Sequence, residues 1–170
     1  VQEALGPDIA VAFDHPVYPS SPREQVQDAM ERTHRWAERS LSAHGRTDQA
    51  IFGIIQGGVD PELRERSTRF IAALPFDGIC IGGLAGDETP VQRADALNVV
   101  IPLLGEDPRP RYLMGLGSPA DLLEAVQRGE GLAVEVHRQP WLALVGQAAL
   151  EGAGEHLGGE HEIPSARAVL

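Results

Sequence analysis

The sequence contains no lysine and only one cysteine, and its charge balance is strongly acidic. Cys80 alone can form neither a disulfide within the chain nor a zinc site rich in thiolates. A chain without disulfides fits a reducing compartment, so we expect a cytoplasmic protein. All 14 basic residues are arginines and the formal net charge is −11. This acidic balance argues against a surface that tracks nucleic-acid phosphates.

Long apolar runs are missing as well. No stretch approaches the roughly 18 apolar residues that a membrane-spanning helix needs, so we expect no membrane partner. The first ten residues, VQEALGPDIA, have neither the basic start nor the apolar centre of a signal peptide. The chain begins with valine and not methionine, and we therefore expect it to be part of a longer protein.

What the sequence does contain is a fourfold alternation of strand and helix patterns. Apolar runs at 8–14, 50–56, 78–81 and 111–116 each precede a helical pattern that opens with Ser, Thr or Asp followed by proline. Such repeats predict an α/β fold of parallel strands with helices packed outside. A doubly wound sheet and a (β/α)₈ barrel both satisfy this pattern. A barrel typically needs roughly 250 residues, so this chain would supply about half of one.

Two local features refine this organisation. The first long helix, expected over 22–44, has Ser21 and Glu24 at the spacing of a capping box. The strand and helix pattern ends near Gly129, and the residues after it are rich in Gly, Ala, Glu and His. We therefore predict two parts: an ordered region at 1–129, and a divergent, weakly ordered tail at 130–170 with one short helix at most.

The ends of the predicted strands supply candidate site residues, because ligands of parallel α/β folds bind at the carboxyl ends of the strands. Asp14, Gln56, Gly82, Gly83 and the segment 114–117 occupy these ends. A carboxylate, a carboxamide, free backbone amides and the Met114 thioether suit a flat, hydrogen-bonding heterocycle such as a purine-like base.

Each of these residues also has an ordinary structural interpretation. Asp14 could cap a turn, Gln56 could bond to neighbouring backbone, and Met114 could fill the core. Gly82 and Gly83 could make a tight strand exit. We favour a base site because one pocket explains all of these positions together.

Other polar residues give weaker indications of chemistry. His15, next to Asp14, could act as an acid or base, whereas His34 and His44 lie on a polar helix pattern and are expected to be solvated. The histidines after Gly129 match no compact metal-binding motif. We expect Cys80, inside an apolar strand, to be a small core residue and not a nucleophile. The glycine-rich turn GLGSPAD at 115–121 could hold a phosphate on its free amides.

Several motifs follow one another along the chain: DIAVAFD, Tyr18-Pro19, Met30-Glu31-Arg32 with Arg35-Trp36-Ala37, FGIIQGG, FDGICIGGLAGDE and RYLMGLGSPADLLEAVQRG. In this order they resemble the central part of the bacterial queuine tRNA-ribosyltransferase family, also called tRNA-guanine transglycosylases. The likeness runs from about residue 4 to Gly129. Several spaced motifs in the right order make a chance resemblance a poor explanation.

The resemblance implies a fold, an activity and a set of site residues. The fold is a partial (β/α)₈ TIM barrel of about four consecutive βα units over 1–129. The activity is exchange of the wobble guanine of tRNA for a 7-deazaguanine in queuosine biosynthesis, so that tRNA, guanine and 7-deazaguanine are the implied partners. The base-binding positions carried over are Asp14, Gln56, Gly82, Gly83, Leu84, Met114 and Gly115. Those carried over for tRNA contact are Gly115, Leu116, Gly117, Ser118, Pro119, Ala120 and Asp121.

The resemblance also defines what we expect the chain to lack. The family nucleophile is an aspartate that attacks the ribose anomeric carbon and displaces guanine. Its position falls on Val134, and Glu135 would point to the opposite face of a strand, so we expect no catalytic residue here. The family binds zinc through carboxy-terminal cysteines, and with Cys80 alone we expect no cofactor. The chain is therefore expected to be an incomplete, catalytically inactive fragment.

Two further interpretations stay open. The chain could be a noncatalytic base-binding or partner subunit of a full-length homologue, or a half-barrel enzyme of unrelated chemistry that uses His15 or Glu135. Family members commonly pair, so a homodimer and docking on a full-length homologue are both expected partner arrangements.

Overall fold

The computed structural model describes residues 1–119 and 132–134 of the chain. Five strands form one parallel sheet: β1 (Ile9–Val11), β2 (Ala50–Ile55), β3 (Gly78–Ile81), β4 (Arg111–Leu113) and β5 (Leu132–Val134). The helices named within the described residues are α1 (Gln2–Leu5), α2 (Arg23–Ala43), α3 (Pro61–Ala72) and α4 (Pro90–Leu104). The prediction of an α/β fold with parallel strands is confirmed.

Each strand pairs with the next strand along the chain, in the order β1-β2-β3-β4-β5. The order does not reverse, as it would at the switch point of a doubly wound sheet. Helices α2, α3 and α4 form the first three connections. Crossovers between parallel strands are almost always right-handed, so three successive crossovers in one direction place their helices on one face of the sheet.

The two faces of the sheet carry different side chains. Ile51, Ile55 and their neighbours in β3 pack in the main core cluster with residues of α2, α3 and α4. The alternate residues Phe52, Ile54 and Cys80 form a separate cluster whose partly buried members come from the strands and from Met114 just after β4. This alternation follows from the two-residue period of a strand. Among the described residues, the helices therefore cover one face, and strand side chains together with Met114 pack on the other.

The helix starts agree with the sequence pattern at α3 and α4 but not at α2. The Asp60 carboxylate accepts a bond from Leu63 N–H, and Thr89 forms a capping box with Gln92. The capping box predicted for Ser21 is wrong, because Pro22 holds the cap position and no side chain caps α2. Ser21 thus lies one residue before the N-cap. Glu24 is the second helical residue, whereas a capping box needs its Glu or Gln at the third.

The last two strands also differ from the sequence pattern. β4 ends at Leu113 and a turn follows at Met114 and Gly115, whereas a strand to residue 116 was expected. β5 falls in the segment predicted to be a tail, and its Val134 is in register with Leu113. All but the first two residues of the helical pattern that follows the fourth apolar run, and most of the tail, lie outside the described residues. Within the described ranges, no helix is both long and apolar enough to cross a membrane.

Candidate functional site

A cavity of about 580 Å³ lies at the carboxyl ends of β1 to β4. Six of the predicted site residues line it: Asp14, Gln56, Gly82, Gly83, Met114 and Gly115. Six further lining residues were not among the predicted ones: Pro16, Val17, Tyr18, Pro19, Ala85 and Gly86. The cavity therefore draws on the segments that follow four successive strands, at the edge where parallel α/β folds bind ligands.

A hydrogen bond joins the ends of β1 and β2 inside this cavity. Gln56 Nε2 donates to Asp14 Oδ2 at 2.7 Å, and Gln56 is only 4% exposed. The backbone N–H of Gln56 donates to Ser67 Oγ at 3.0 Å, which anchors the Gln56 backbone to α3. Gln56 therefore presents its carboxamide to the Asp14 carboxylate, and within residues 1–119 and 132–134 its side chain bonds to no backbone group.

Burial raises the pKa of the Asp14 carboxyl above its ordinary value of 3.8. The bond from Gln56 and the nearby charge of His15 act in the opposite direction and offset part of that effect. Removing a carboxylate from water favours its neutral form, whereas a donated hydrogen bond favours the anion. Asp14 is thus a partly desolvated acceptor, and its charge depends on the groups that donate hydrogen bonds to its carboxylate.

Bare glycine backbone lies against the Gln56 carboxamide. A β-carbon on Gly82 would stand 2.9 Å from Gln56 Nε2, and one on Gly83 would overlap Gln56 Oε1. Gly83 also has a φ of +68°, which L side chains rarely adopt. The turn after β3 therefore requires glycine at residue 83 for two independent reasons.

Arg64 of α3 lies beneath these glycines and is fully buried. Its Nε donates to the Gly58 carbonyl at 2.5 Å, and its Nη2 donates to the Gly83 carbonyl at 3.1 Å. Burial lowers the pKa of the guanidinium to about 9, although the charge of Glu88 raises it in part. Arg64 therefore links the loop after β2 to the loop after β3.

The loop after β3 is held by its own acidic residues. The Glu88 side chain is 1% exposed, and it accepts bonds from Gly86 N–H at 2.9 Å and from Arg93 Nε at 3.0 Å. Asp87 accepts bonds from the backbone N–H and the hydroxyl of Ser20. The loops after β1 and β3 are thus joined at the cavity, beside Tyr18, whose ring is largely exposed.

Some predicted positions do not reach the cavity with their side chains. Leu84 and Leu116 are buried in the core on the helix-covered face, so any ligand contact of theirs would use backbone atoms. The His15 ring lies near Arg32 Nη1 and Trp36 of α2, and its backbone N–H bonds to Thr33 Oγ1. Ala120, Asp121 and Glu135 lie outside the described residues.

The expectation that His34 is solvated is wrong. His34 is 7% exposed, and its ring stacks on the Phe70 ring with the two ring centroids 4.1 Å apart. Its Nε2 lies 3.0 Å from Ser67 Oγ. It follows Met30 by four residues on α2, so it shares the face that packs on α3. Burial lowers the pKa of His34 to about 4. His44 is also partly buried, with its Nε2 2.9 Å from the Gln49 carbonyl.

Within the part of the chain that the structure describes, the residues do not fit the zinc ion that the family binds. Cys80 is buried among strand residues, and burial raises the pKa of its thiol to about 12. A thiol must lose its proton to bind zinc, so this one is a poor ligand. Within residues 1–119 and 132–134, no three His, Cys, Asp or Glu residues are grouped as metal ligands.

Comparison with known proteins gives one consistent family. The family model described as queuine tRNA-ribosyltransferase matches residues 1–132. The chain is 57% identical to the queuine tRNA-ribosyltransferase of Moorella thermoacetica over 130 residues, which are 76% of this chain and 34% of the relative. It is 53% identical to that of Thermus thermophilus over 133 residues, or 78% of this chain and 34% of the relative. The chain thus spans about a third of the length of the curated relatives it matches.

Proposed function

Because the chain belongs to the queuine tRNA-ribosyltransferase family, we propose that its cavity binds guanine and 7-deazaguanine for the exchange of a tRNA base. The observation that carries this proposal is the Asp14 carboxylate held by Gln56 at a wall of bare glycine backbone. Guanine presents a ring N–H and an amino group side by side, and a carboxylate can accept both. Its neighbouring carbonyl oxygen needs a donor, which the Gln56 amide or the glycine N–H groups can supply.

The remaining walls suit the faces of a flat ring. Tyr18 and Met114 line the same cavity, and Tyr18 has an exposed ring. Aromatic rings and thioethers both pack well on the π-face of a base. We assign stacking to these two residues and edge recognition to Asp14 and Gln56.

A tRNA substrate is the second element of the proposal. A base can enter this cavity only after its nucleotide has left the stack, as in other enzymes that act on bases. The turn after β4 adjoins the cavity through Gly115, and its Ser118 and Pro119 are exposed. We propose that the segment 115–121 contacts the tRNA backbone next to the flipped nucleotide. With a net charge of −11, phosphate contacts would have to be local, and a cytoplasmic location follows from the substrate.

We further propose that the sheet is part of a (β/α)₈ barrel wall. The unreversed order of five parallel strands supports this, as does the placement of helix contacts on one face. In a barrel, the face without helices becomes the interior, and alternate strand residues fill it.

We assign no part of the covalent step to the residues that line the cavity. Exchange breaks the bond between the ribose anomeric carbon and guanine, and a carboxylate forms the replacing bond. The backbone of Val134, the position of the family nucleophile, lies beside Leu113 at the carboxyl end of the sheet. Valine has no lone pair to donate, so we propose that this chain recognises the base but does not displace it. The family match does not favour a separate partner-subunit role.

Ligand binding to the whole 170-residue chain tests base recognition. Guanine should bind in saturation-transfer NMR, and adenine should bind more weakly because it lacks the ring N–H and the carbonyl oxygen at that edge. Asp14→Asn should weaken guanine binding by about 10-fold to 100-fold, the usual range for a hydrogen bond to a charged group. Equal binding of guanine and adenine would refute the assignment.

A second measurement tests the assignment of chemistry. The chain is incubated with tRNA and labelled guanine, and label incorporated into tRNA is counted. We expect incorporation at the level of a control without protein. Incorporation above that level would show that the chain carries a nucleophile of its own.

A further inference from the structure

We propose that Arg64 is a positioning residue for the base cavity: it fixes the Gly83 peptide and, through it, the Gln56 carboxamide that pairs with Asp14. This inference rests on the proposed function of the cavity. Arg64 itself does not line the cavity, so it acts only through the groups it holds.

The first step of the argument is the set of groups that Arg64 binds. The guanidinium donates from Nε to the Gly58 carbonyl at 2.5 Å and from Nη2 to the Gly83 carbonyl at 3.1 Å. The Ile55 carbonyl lies 3.5 Å from Nη1. These carbonyls belong to the end of β2, the loop after β2 and the loop after β3. A planar guanidinium can satisfy several fixed acceptors at once, whereas a lysine ammonium is a single point charge.

The second step is the contact between Gly83 and Gln56. The Gln56 amide oxygen occupies the space that a β-carbon on Gly83 would need, so a shift of the Gly83 peptide changes the room available to the carboxamide. Gln56 in turn donates to Asp14 at 2.7 Å. The contacts therefore run from Arg64 through Gly83 and Gln56 to Asp14.

The third step is the cost of burying this cation. Arg64 is fully buried and makes no direct ion pair among the described residues, although the charge of Glu88 acts on it from nearby. An uncompensated buried charge is expensive, and a well-packed apolar residue is often at least as stabilising. A role in shaping the cavity explains an arginine here better than stability does.

Arg109 provides a matched control at the opposite edge of the sheet. It too donates to backbone carbonyls, those of Leu74 at 2.9 Å and Ala72 at 2.7 Å, and it pairs with Asp107. Arg109 precedes β4 and therefore lies at the amino ends of the strands. Replacing its guanidinium should change the stability of the fold and leave the geometry of the base cavity unchanged.

The experiment compares Arg64→Lys, Arg64→Met and Arg109→Lys in the full chain by two readouts. The first needs no ligand: the side-chain amide resonance of Gln56 should shift as Asp14 titrates, because the two groups share a hydrogen bond. We expect both Arg64 variants to lose this coupling and Arg109→Lys to keep it. The second readout is guanine affinity, which should fall at least 10-fold in the Arg64 variants only.

The outcomes separate this inference from the proposed function. If unaltered protein does not bind guanine but the Gln56 coupling is lost only in the Arg64 variants, the positioning role stands and the proposed function fails. If guanine binds and Arg64→Lys keeps both the coupling and the affinity, the positioning role is overturned. Should neither Arg64 variant fold, the Arg64 Nε–H resonance of unaltered protein is followed instead. It should shift on guanine addition, and an unchanged resonance with guanine bound would overturn the proposal.

Discussion

The side-chain oxygen of Gln56 occupies the space where a β-carbon on Gly83 would lie. The two residues belong to the ends of neighbouring strands, and the same Gln56 amide donates to Asp14. The position of the polar group that we propose recognises the base is thus limited by a residue that has no side chain. Substitutions that add or remove single groups at this cavity should therefore have large effects on binding.

We predict that Gly83→Ala abolishes guanine binding and lowers stability by about 1–2 kcal/mol. The stability loss comes from the positive φ of residue 83, which an L side chain tolerates poorly. The binding loss comes from displacement of the Gln56 amide. Urea unfolding and guanine titration measure the two effects separately.

Gly105→Ala is the control for this prediction. Gly105 has a φ of +50° after α4, but a β-carbon there would meet no atom nearer than 3.7 Å. It should lose stability and keep guanine affinity. Equal loss of affinity in both variants would mean that backbone strain, and not the contact with Gln56, decides binding.

We predict that Asp14→Asn is more stable than the unaltered chain at about pH 7. Burial raises the pKa of Asp14 above 3.8, so the unfolded chain loses this proton at a lower pH than the folded chain does. Stability therefore falls as the pH rises from 3.8 through the folded value, and asparagine removes that loss. Unfolding free energies at a series of pH values check the sign, and the advantage of the variant should vanish at acid pH.

Asp107→Asn should show the opposite sign. Bonds from Arg109 lower the pKa of Asp107 to about 2, so its contribution is present above 3.8 and is lost as the pH falls towards 2. This variant should be less stable than the unaltered chain at about pH 7. A gain in stability for both variants would indicate relief of general charge repulsion instead of the burial of Asp14.

We predict that His34 makes the fold sensitive to mild acid. Burial lowers the pKa of His34 to about 4 from 6.5, so between these values the unfolded chain binds a proton that the folded chain does not. Stability should decline by about 3 kcal/mol as the pH falls through this interval. His34→Gln can still bond to Ser67, and it should flatten the decline in urea unfolding. An unchanged slope would assign the sensitivity to other groups.

We predict that Cys80 reacts with a thiol reagent only when the chain unfolds. Its side chain is fully buried and burial raises its pKa to about 12, so both access and thiolate are lacking in the folded state. Guanine at about 100 times its dissociation constant should slow labelling about 100-fold, because it binds the folded state alone. Labelling at the rate of a free thiol would contradict the burial of β3.

Strands β2 and β3, the starts of α3 and α4, and the cavity residues Asp14 and Gln56 could be predicted from the sequence. β2 and β3 are continuous apolar runs that end in Gln56 and Gly82, and the carboxyl-end rule locates a site at such ends. Asp60 and Thr89 mark α3 and α4 because a helix start needs acceptors for its free N–H groups. These features depend on neighbouring residues only, so a local pattern contains them.

Residues whose environment comes from distant segments could not be predicted in this way. Arg64 lies in the polar run RERSTR, which is typical of a solvated helix, and its burial depends on carbonyls from two loops. A weak indication exists, since Leu63, Ser67 and Ile71 follow each other at four-residue spacing and mark the buried face of α3. The cavity wall at 16–19 has no such pattern.

The bond between Asp14 and Gln56 closes a loop of 42 residues, and the cavity around it takes residues from the ends of four successive strands. No single strand-helix unit contains enough of the cavity to hold a base. The capacity to bind should therefore arise late in folding, after β1 to β4 have paired, because contacts between distant segments form only once the loops are closed. A bound base would in turn slow the separation of these strands, so resistance to proteolysis would report on occupancy of the cavity.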